Sequence, residues 1–329
     1  MRSVPFTTAF ACIAALSAAA CADADTETEV EADAASEAEI STDETAAVEI
    51  DPAEAAYNAV LETAPDSAWR TVEAENLLKI STSEGDVWVE LAEEWTPTHT
   101  ARMRELARSD WFDFKVWHRV LNGFMAQGGG ALDNPNIIAP TTPMPAEFML
   151  RRDPNTTPVS EIQQRFINPR SNRTRAPAGF WNGMPAGTQP AAAAGIMGDG
   201  RVDSWLIHCD GAAAMARTSD PNSGNAQFYI VRGDAEHLNT QYTVWGWVRS
   251  GLEVVYQLNE GTLGQDRGFR PSIIEDVEVA SDLPEGERAT VQVIDTQSEA
   301  FAGYLAALEA ANGSLPDVCS IKVPTRVVE

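Results

Sequence analysis

Between Asp23 and Glu54 stand thirteen acidic side chains and no Lys, Arg or His. They are interleaved with Ala, Thr and Ser, so the stretch has too little apolar surface to offset its ordering entropy and is expected to stay disordered. Whatever the chain folds into must therefore be built from about residue 51 onward. We read residues 21–50 as an acidic spacer that holds a domain away from an anchor, rather than as an interaction tail. Across 329 residues, 49 acidic and 23 basic side chains leave a net charge of −26. That balance argues against nucleic-acid partners, whose affinity rests on basic phosphate contacts.

Ahead of the spacer, Arg2 precedes an apolar stretch from Val4 to Ala20 that ends in the small residues Ser17-Ala18-Ala19-Ala20. A basic start, an apolar core and a small-residue cleavage site describe a secretory signal peptide over residues 1–20. Cys21 then stands where bacterial lipoproteins carry their lipidated cysteine, although Ala18 occupies a position that pattern prefers to fill with Leu. Lipid anchoring through Cys21 and simple release both stay open. The expected location is the periplasm or cell envelope. Past residue 20 no apolar run is long enough to span a bilayer. In an oxidising compartment Cys209 and Cys319 are free to pair, but spacing does not decide whether they do.

From Asp51-Pro52 a short helical lead-in is expected over residues 51–75, with Pro at the first helical turn. Strand-like runs follow at 76–81, 86–91, 114–120, 124–127, 211–216, 226–231, 243–248 and 273–279, with helices at 96–108 and 251–259. A strand at 290–294, a helix over 297–311 and a tail strand near 320–328 are expected in a C-terminal extension, 281–329. Residues 131–190 hold ten of the nineteen prolines, and six Arg fall between Arg151 and Arg175. Proline at this density reads as a long ordered loop, with the arginines decorating its surface. Short strands, turn signals and few helices point to an antiparallel barrel or sandwich.

Several familiar sites are missing from the sequence. There is no P-loop, no His-Glu-x-x-His and no Gly-x-Ser-x-Gly, and the four histidines are scattered, so no metal or cofactor is expected. Two dense stretches stand out instead. One runs Phe114-Lys115-Val116-Trp117-His118-Arg119-Val120-Leu121-Asn122-Gly123-Phe124-Met125-Ala126-Gln127-Gly128-Gly129. Read as a strand, its alternation places Trp117, Arg119 and Leu121 on one face and Val116, His118 and Val120 on the other. The other is Met215-Ala216-Arg217-Thr218-Ser219-Asp220-Pro221-Asn222-Ser223-Gly224-Asn225-Ala226-Gln227-Phe228-Tyr229-Ile230. Leu238-Asn239 and Tyr242-Thr243-Val244-Trp245-Gly246 follow in the same order as in the family that these stretches resemble.

That family is the cyclophilin-type peptidyl-prolyl cis-trans isomerases. The resemblance covers residues 76–280 and implies a mainly β fold, an eight-stranded antiparallel barrel capped by two helices. Glu147-Phe148 resembles the start of a family strand, which places extra residues, about 150–194, as an insertion. By the same resemblance Arg119 is the catalytic arginine and Gln127 holds the substrate carbonyl and orients it. Phe124, Met125, Tyr229 and Leu238 match the proline pocket. Ala216, Arg217, Thr218 and Gln227 match the peptide groove, and His237 and Tyr242 complete the rim. The implied partners are proline-containing polypeptides, the expected state is a monomer, and the alternative is a binding or chaperone module with little catalysis.

Three residues depart from the family pattern. Tyr229 replaces Phe and brings a hydroxyl that needs a partner. Tyr242 replaces a His of the eukaryotic members. His237 replaces the Trp associated there with cyclosporin binding, so weak cyclosporin affinity is expected, and a tight complex in a calorimetric titration contradicts it.

Overall fold

The computed structural model describes residues 51–168, 174–233 and 235–328. The signal segment, Cys21 and the acidic spacer lie outside the described residues. Alternating apolar residues build the largest sheet. Its strands run antiparallel in the order Gly261–Thr262, Arg119–Leu121, Met125–Gly128, Phe228–Val231, Ala212–Met215, Val244–Ser250, Gly85–Leu91, Leu77–Thr82, Ile273–Val279, Lys115–Val116. Trp117 and His118 carry the chain from one edge of this sheet to the strand next to its other edge, and Val116 N–H donates to Gly130 C=O at 2.8 Å. The sheet is thereby curled into a barrel.

The crossing also explains a misreading. Residues 114–120 look like one strand, but the chain turns at Phe114, whose φ is 55°. Trp117 N–H donates to Ser272 C=O at 3.0 Å, which takes the indole into the barrel rather than onto the face of Arg119. There Trp117 is fully buried, edge to face with Phe228 at 5.4 Å between ring centroids. A bend resets the period of two.

Leu78, Ile80, Val87, Val89, Phe228, Ile230 and Trp245 fill the barrel interior. The helix Pro97–Arg108 covers it with Met103 and Leu106, and Leu252–Gln257 adds Val255. Glu147 does not open a strand. Its carboxylate accepts from the backbone N–H groups of Thr98 at 3.1 Å and His99 at 3.0 Å, where negative charge suits a helix N-terminus.

Residues 131–149 form the loop their prolines suggest, but from Leu150 onward strands replace it. Leu150–Arg152, Val202–Leu206, Met184–Thr188, Arg175–Trp181 and Ser160–Phe166 make a second antiparallel sheet in that order. Pro177 and Pro185 sit inside it. A proline lacks only the donor, and the Pro185 carbonyl still accepts from Ile207 N–H at 2.9 Å. Asn182-Gly183, with φ of 47° and 74°, makes the two-residue turn between Arg175–Trp181 and Met184–Thr188. Nor do the arginines simply decorate a surface. Arg152 is buried and donates to Ser204 Oγ and Thr188 Oγ1, both at 2.7 Å. Arg151 pairs with Asp199 at 2.8 Å and Asp203 at 3.0 Å.

The ends of the described chain meet. Trp69–Thr71, Thr290–Ile294 and Thr325–Val328 form a three-stranded sheet, and the helix Pro52–Thr63 packs on Glu299–Asn312. The second helix opens on Ser298, whose hydroxyl accepts from Phe301 N–H at 3.1 Å, and closes on Gly313 at φ 75°. Its Phe301, Tyr304 and Leu308 join Phe180, Trp181, Trp205, Tyr229 and Val231 in one apolar layer outside the barrel.

Cys209 and Cys319 are disulfide-bonded, with Cα atoms 5.0 Å apart and 110 residues between them in sequence. Closing so long a loop restricts the unfolded chain, and removing a native bridge costs about 2–5 kcal/mol. Urea unfolding of Cys319→Ser is expected to show that loss. A midpoint equal to wild type contradicts it.

Candidate active site

Cross-strand register assembles the site. Arg119 pairs with Gln127, Gln127 with Tyr229, and Tyr229 with Ala214, so alternation sends their side chains to the outer face in one row. Leu121 and Met125 form the next pair along it. A cavity of about 230 Å³ opens there, lined by Arg119, Phe124, Met125, Gln127, Ala216, Arg217, Tyr229, Leu238 and Tyr242. A second cleft of about 220 Å³ adjoins it, sharing Gln127, Ala216 and Arg217 and adding Thr218 and Gln227. His237 touches neither space. It stacks behind Phe124, with ring centroids 5.4 Å apart.

Arg119 forms no ion pair among the described residues. Its guanidinium lies 5.8 Å from the Phe124 ring centroid and 3.8 Å from Met125 Sδ. Burial lowers its pKa from the ordinary value, with Tyr242 opposing in part, yet an arginine stays charged. Its donors are thus held in an apolar setting and are not satisfied by a carboxylate.

Gln127 lies across the ladder from Arg119, but the hydrogen bond recorded for its side chain runs the other way, Nε2 donating to Gln227 Oε1 at 3.1 Å. Gln227 in turn donates to Pro135 C=O at 2.9 Å and Ile137 C=O at 3.0 Å, which fixes its carbonyl toward Gln127. Arg217 is likewise engaged as wall. It donates to Gln241 C=O at 2.9 Å and Thr218 C=O at 2.8 Å and covers the Tyr242 ring at 4.3 Å. Thr218 is tied to Ser223, its N–H donating to Oγ at 2.9 Å.

The hydroxyl of Tyr229 finds a partner that sequence reasoning missed. It lies 3.1 Å from His208 Nε2, while His208 Nδ1 lies 3.1 Å from Asn239 Oδ1. Asn239 Oδ1 also accepts from His208 N–H at 2.8 Å, which identifies it as the oxygen. Nδ1 therefore carries the proton and Nε2 accepts from Tyr229. The hydroxyl is bonded away from the pocket, so the ring surface is what faces it. Asn239 belongs to a motif already singled out. His208 had no local signal, since it lies 21 residues from Tyr229 and 31 from Asn239.

Burial pushes the His208 pKa down to about 4. An unfolded His takes up its proton near pH 6.5, so the unfolded state binds more protons between pH 6.5 and about 4. Stability therefore falls on acidification through that window, by about 2 kcal/mol from pH 7 to pH 5 from this one group. The imidazole followed by NMR is expected to remain neutral at pH 5. A midpoint near 6.5 contradicts this.

Residues 77–279 match the family model described as cyclophilin type peptidyl-prolyl cis-trans isomerase/CLD. The chain belongs to this family. A crystal structure of a cyclophilin from Hirschia baltica is similar at 33% identity, with a TM-score of 0.66 over 79% of this chain and 93% of that one. Among curated relatives, a probable peptidyl-prolyl cis-trans isomerase of Brucella suis biovar 1 (strain 1330) is 29% identical over 192 residues, covering 57% of this chain and 74% of the relative. One from Streptomyces antibioticus is 26% identical over 212 residues, covering 62% and 95%. This cyclophilin is an enzyme of the peptidyl-prolyl cis-trans isomerase class. Its barrel and two capping helices are those the family resemblance implies, although short edge strands raise the strand count above eight.

Proposed function

We propose that this cyclophilin isomerises X–Pro bonds in exported polypeptides, with Arg119 as the catalytic donor. The observation that carries the reading is Arg119 itself. It stands over the Phe124–Met125–Leu238 pocket with no carboxylate among the described residues to compete for it.

Amide resonance sets the rotation barrier at ~18–20 kcal/mol. As the bond turns, the prolyl nitrogen becomes pyramidal and its lone pair, no longer shared with the carbonyl, localises on it, where a guanidinium N–H stabilises it more than it does the planar ground state. The apolar walls hold the prolyl ring and keep competing water away from that hydrogen bond. Gln127 retains one amide proton beyond the one given to Gln227, and donates it to the substrate carbonyl. No nucleophile, metal or cofactor enters these steps.

Export is supported by the signal-like residues 1–20 and by the Cys209–Cys319 bond, which suits an oxidising compartment. The enzyme then works on polypeptides of the periplasm or cell envelope, as a monomer. The polypeptide claim is tested on the refolding of a protein limited by a proline step. Catalytic amounts of the enzyme are expected to speed the slow phase. A slow phase unchanged while a short peptide is turned over restricts the activity to peptides.

A further inference from the structure

One wall of the pocket is held by parts of the chain that lie outside the barrel. Leu238 sits in the short turn Glu236–Leu238, followed by Asn239. Three attachments converge on these four residues. Asn168, fully buried just beyond the insertion strand Ser160–Phe166, donates from Nδ2 to His237 C=O at 2.7 Å and to Asn239 C=O at 3.0 Å. Arg165, in that strand, pairs with Glu236 and with Asp317 of the C-terminal extension, the latter at 3.1 Å. Its Nη1 also lies 3.0 Å from Cys319 Sγ, beside the disulfide. Ile162 and Ile167 of the insertion pack on the same apolar cluster as Phe124 and Leu238.

We propose that Asn168 and Arg165 are positioning residues of the prolyl pocket, so that the insertion sets how tightly a proline is held although neither residue lines the pocket. The two carbonyls that accept from Asn168 flank Leu238 directly. Losing their common donor removes one bond from Asn239 C=O and one from His237 C=O, which keeps Gln241 Nε2 at 2.9 Å, and the turn shifts to replace what is lost. A turn that shifts moves Leu238 against the prolyl ring. Arg119 and Gln127 stand on barrel strands whose ladder does not include this turn, so the chemical step is untouched. Arg165 acts one step further out, keeping Glu236 against the insertion and coupling it to the extension.

This inference rests on the proline-pocket reading of the site, and its test separates the two. Peptide affinity is measured by NMR titration of an Ala-Pro-Phe peptide into the full chain, and turnover by exchange spectroscopy. Asn168→Asp, which keeps the shape but replaces the donor with an acceptor, is expected to raise Kd and KM about tenfold, the share of its two lost hydrogen bonds that the relaxed turn does not recover. It is expected to leave kcat within about twofold. Arg165→Met, at a less buried position, is expected to raise KM about threefold and serves if Asn168→Asp does not fold. Arg151→Ala breaks an exposed ion pair elsewhere in the insertion and is expected to change neither constant.

Unchanged Kd and KM in folded Asn168→Asp, or in Arg165→Met where the former does not fold, overturns the proposal. So does a fall in kcat with KM unchanged, or an equal effect of Arg151→Ala. A wild-type chain that binds the peptide without speeding its exchange refutes the catalytic reading, while Kd still decides this one. A chain that does not bind the peptide removes both.

Discussion

Arg119→Ala is expected to lower kcat/KM for a prolyl peptide by about 10²–10³-fold, the usual cost of removing one donor aimed at developing charge. The fold should survive, because the side chain is only partly buried, forms no ion pair among the described residues and lines an open cavity. Peptide affinity should fall much less, since Phe124, Met125 and Leu238 remain to hold the ring. Arg119→Lys is expected to recover little. Lysine carries the charge on a compact ammonium, whereas the planar fork can reach the nitrogen while lying over Phe124. The check is exchange spectroscopy with a parallel titration. Loss of affinity and rate in equal measure contradicts a donor that acts in the transition state.

The second large effect concerns stability. Glu90 sits on the central strand Gly85–Leu91 and is buried on the outer face of the barrel. Its Oε1 accepts from Arg70 Nη1 at 2.7 Å, and its Oε2 from Arg70 Nη2 at 2.8 Å and Arg249 Nε at 2.7 Å. Burial pushes its carboxyl up, but Arg249 and Arg70 outweigh that and hold its pKa below the ordinary value. The same two arginines donate to the Asn182 carbonyl, and Arg249 to Gly183 at 3.1 Å. One carboxylate thus pins the lead-in strand, the barrel and the insertion turn together. Glu90→Gln keeps the shape and leaves two guanidinium groups without their counter-charge, at a cost of about 3–5 kcal/mol. Against a typical total of about 5–15 kcal/mol, that is a large share. Urea unfolding measures it, and a midpoint within error of wild type contradicts the account.

The gathering of the candidate site's residues around one cavity was legible because they are packed into short motifs. Arg119 and Gln127 lie on neighbouring strands of one hairpin, so local sequence carries their spacing. Most strands were legible for a similar reason, since a half-buried ladder writes its period into the chain. The reading failed where a bend or a distant partner decided the outcome. Trp117 went to the wrong face because the crossing from the sheet edge interrupts the alternation. The insertion sheet was hidden by prolines whose carbonyls still serve a ladder. His208 and Asn168 carry no signal of their own, and Asn168 reaches a partner 71 residues away. Their roles come from tertiary packing, which no local pattern records.

The central claim is that the pocket accelerates rotation about the X–Pro bond rather than only holding the ring. The most direct measurement is the rate of cis–trans interconversion of an Ala-Pro-Phe peptide bound to the wild-type chain, from NMR line shapes at saturating protein. Interconversion on the bound peptide is expected to be orders of magnitude faster than in buffer. A bound peptide that interconverts no faster than the free one contradicts it, and leaves a cyclophilin barrel that binds prolines without turning them over.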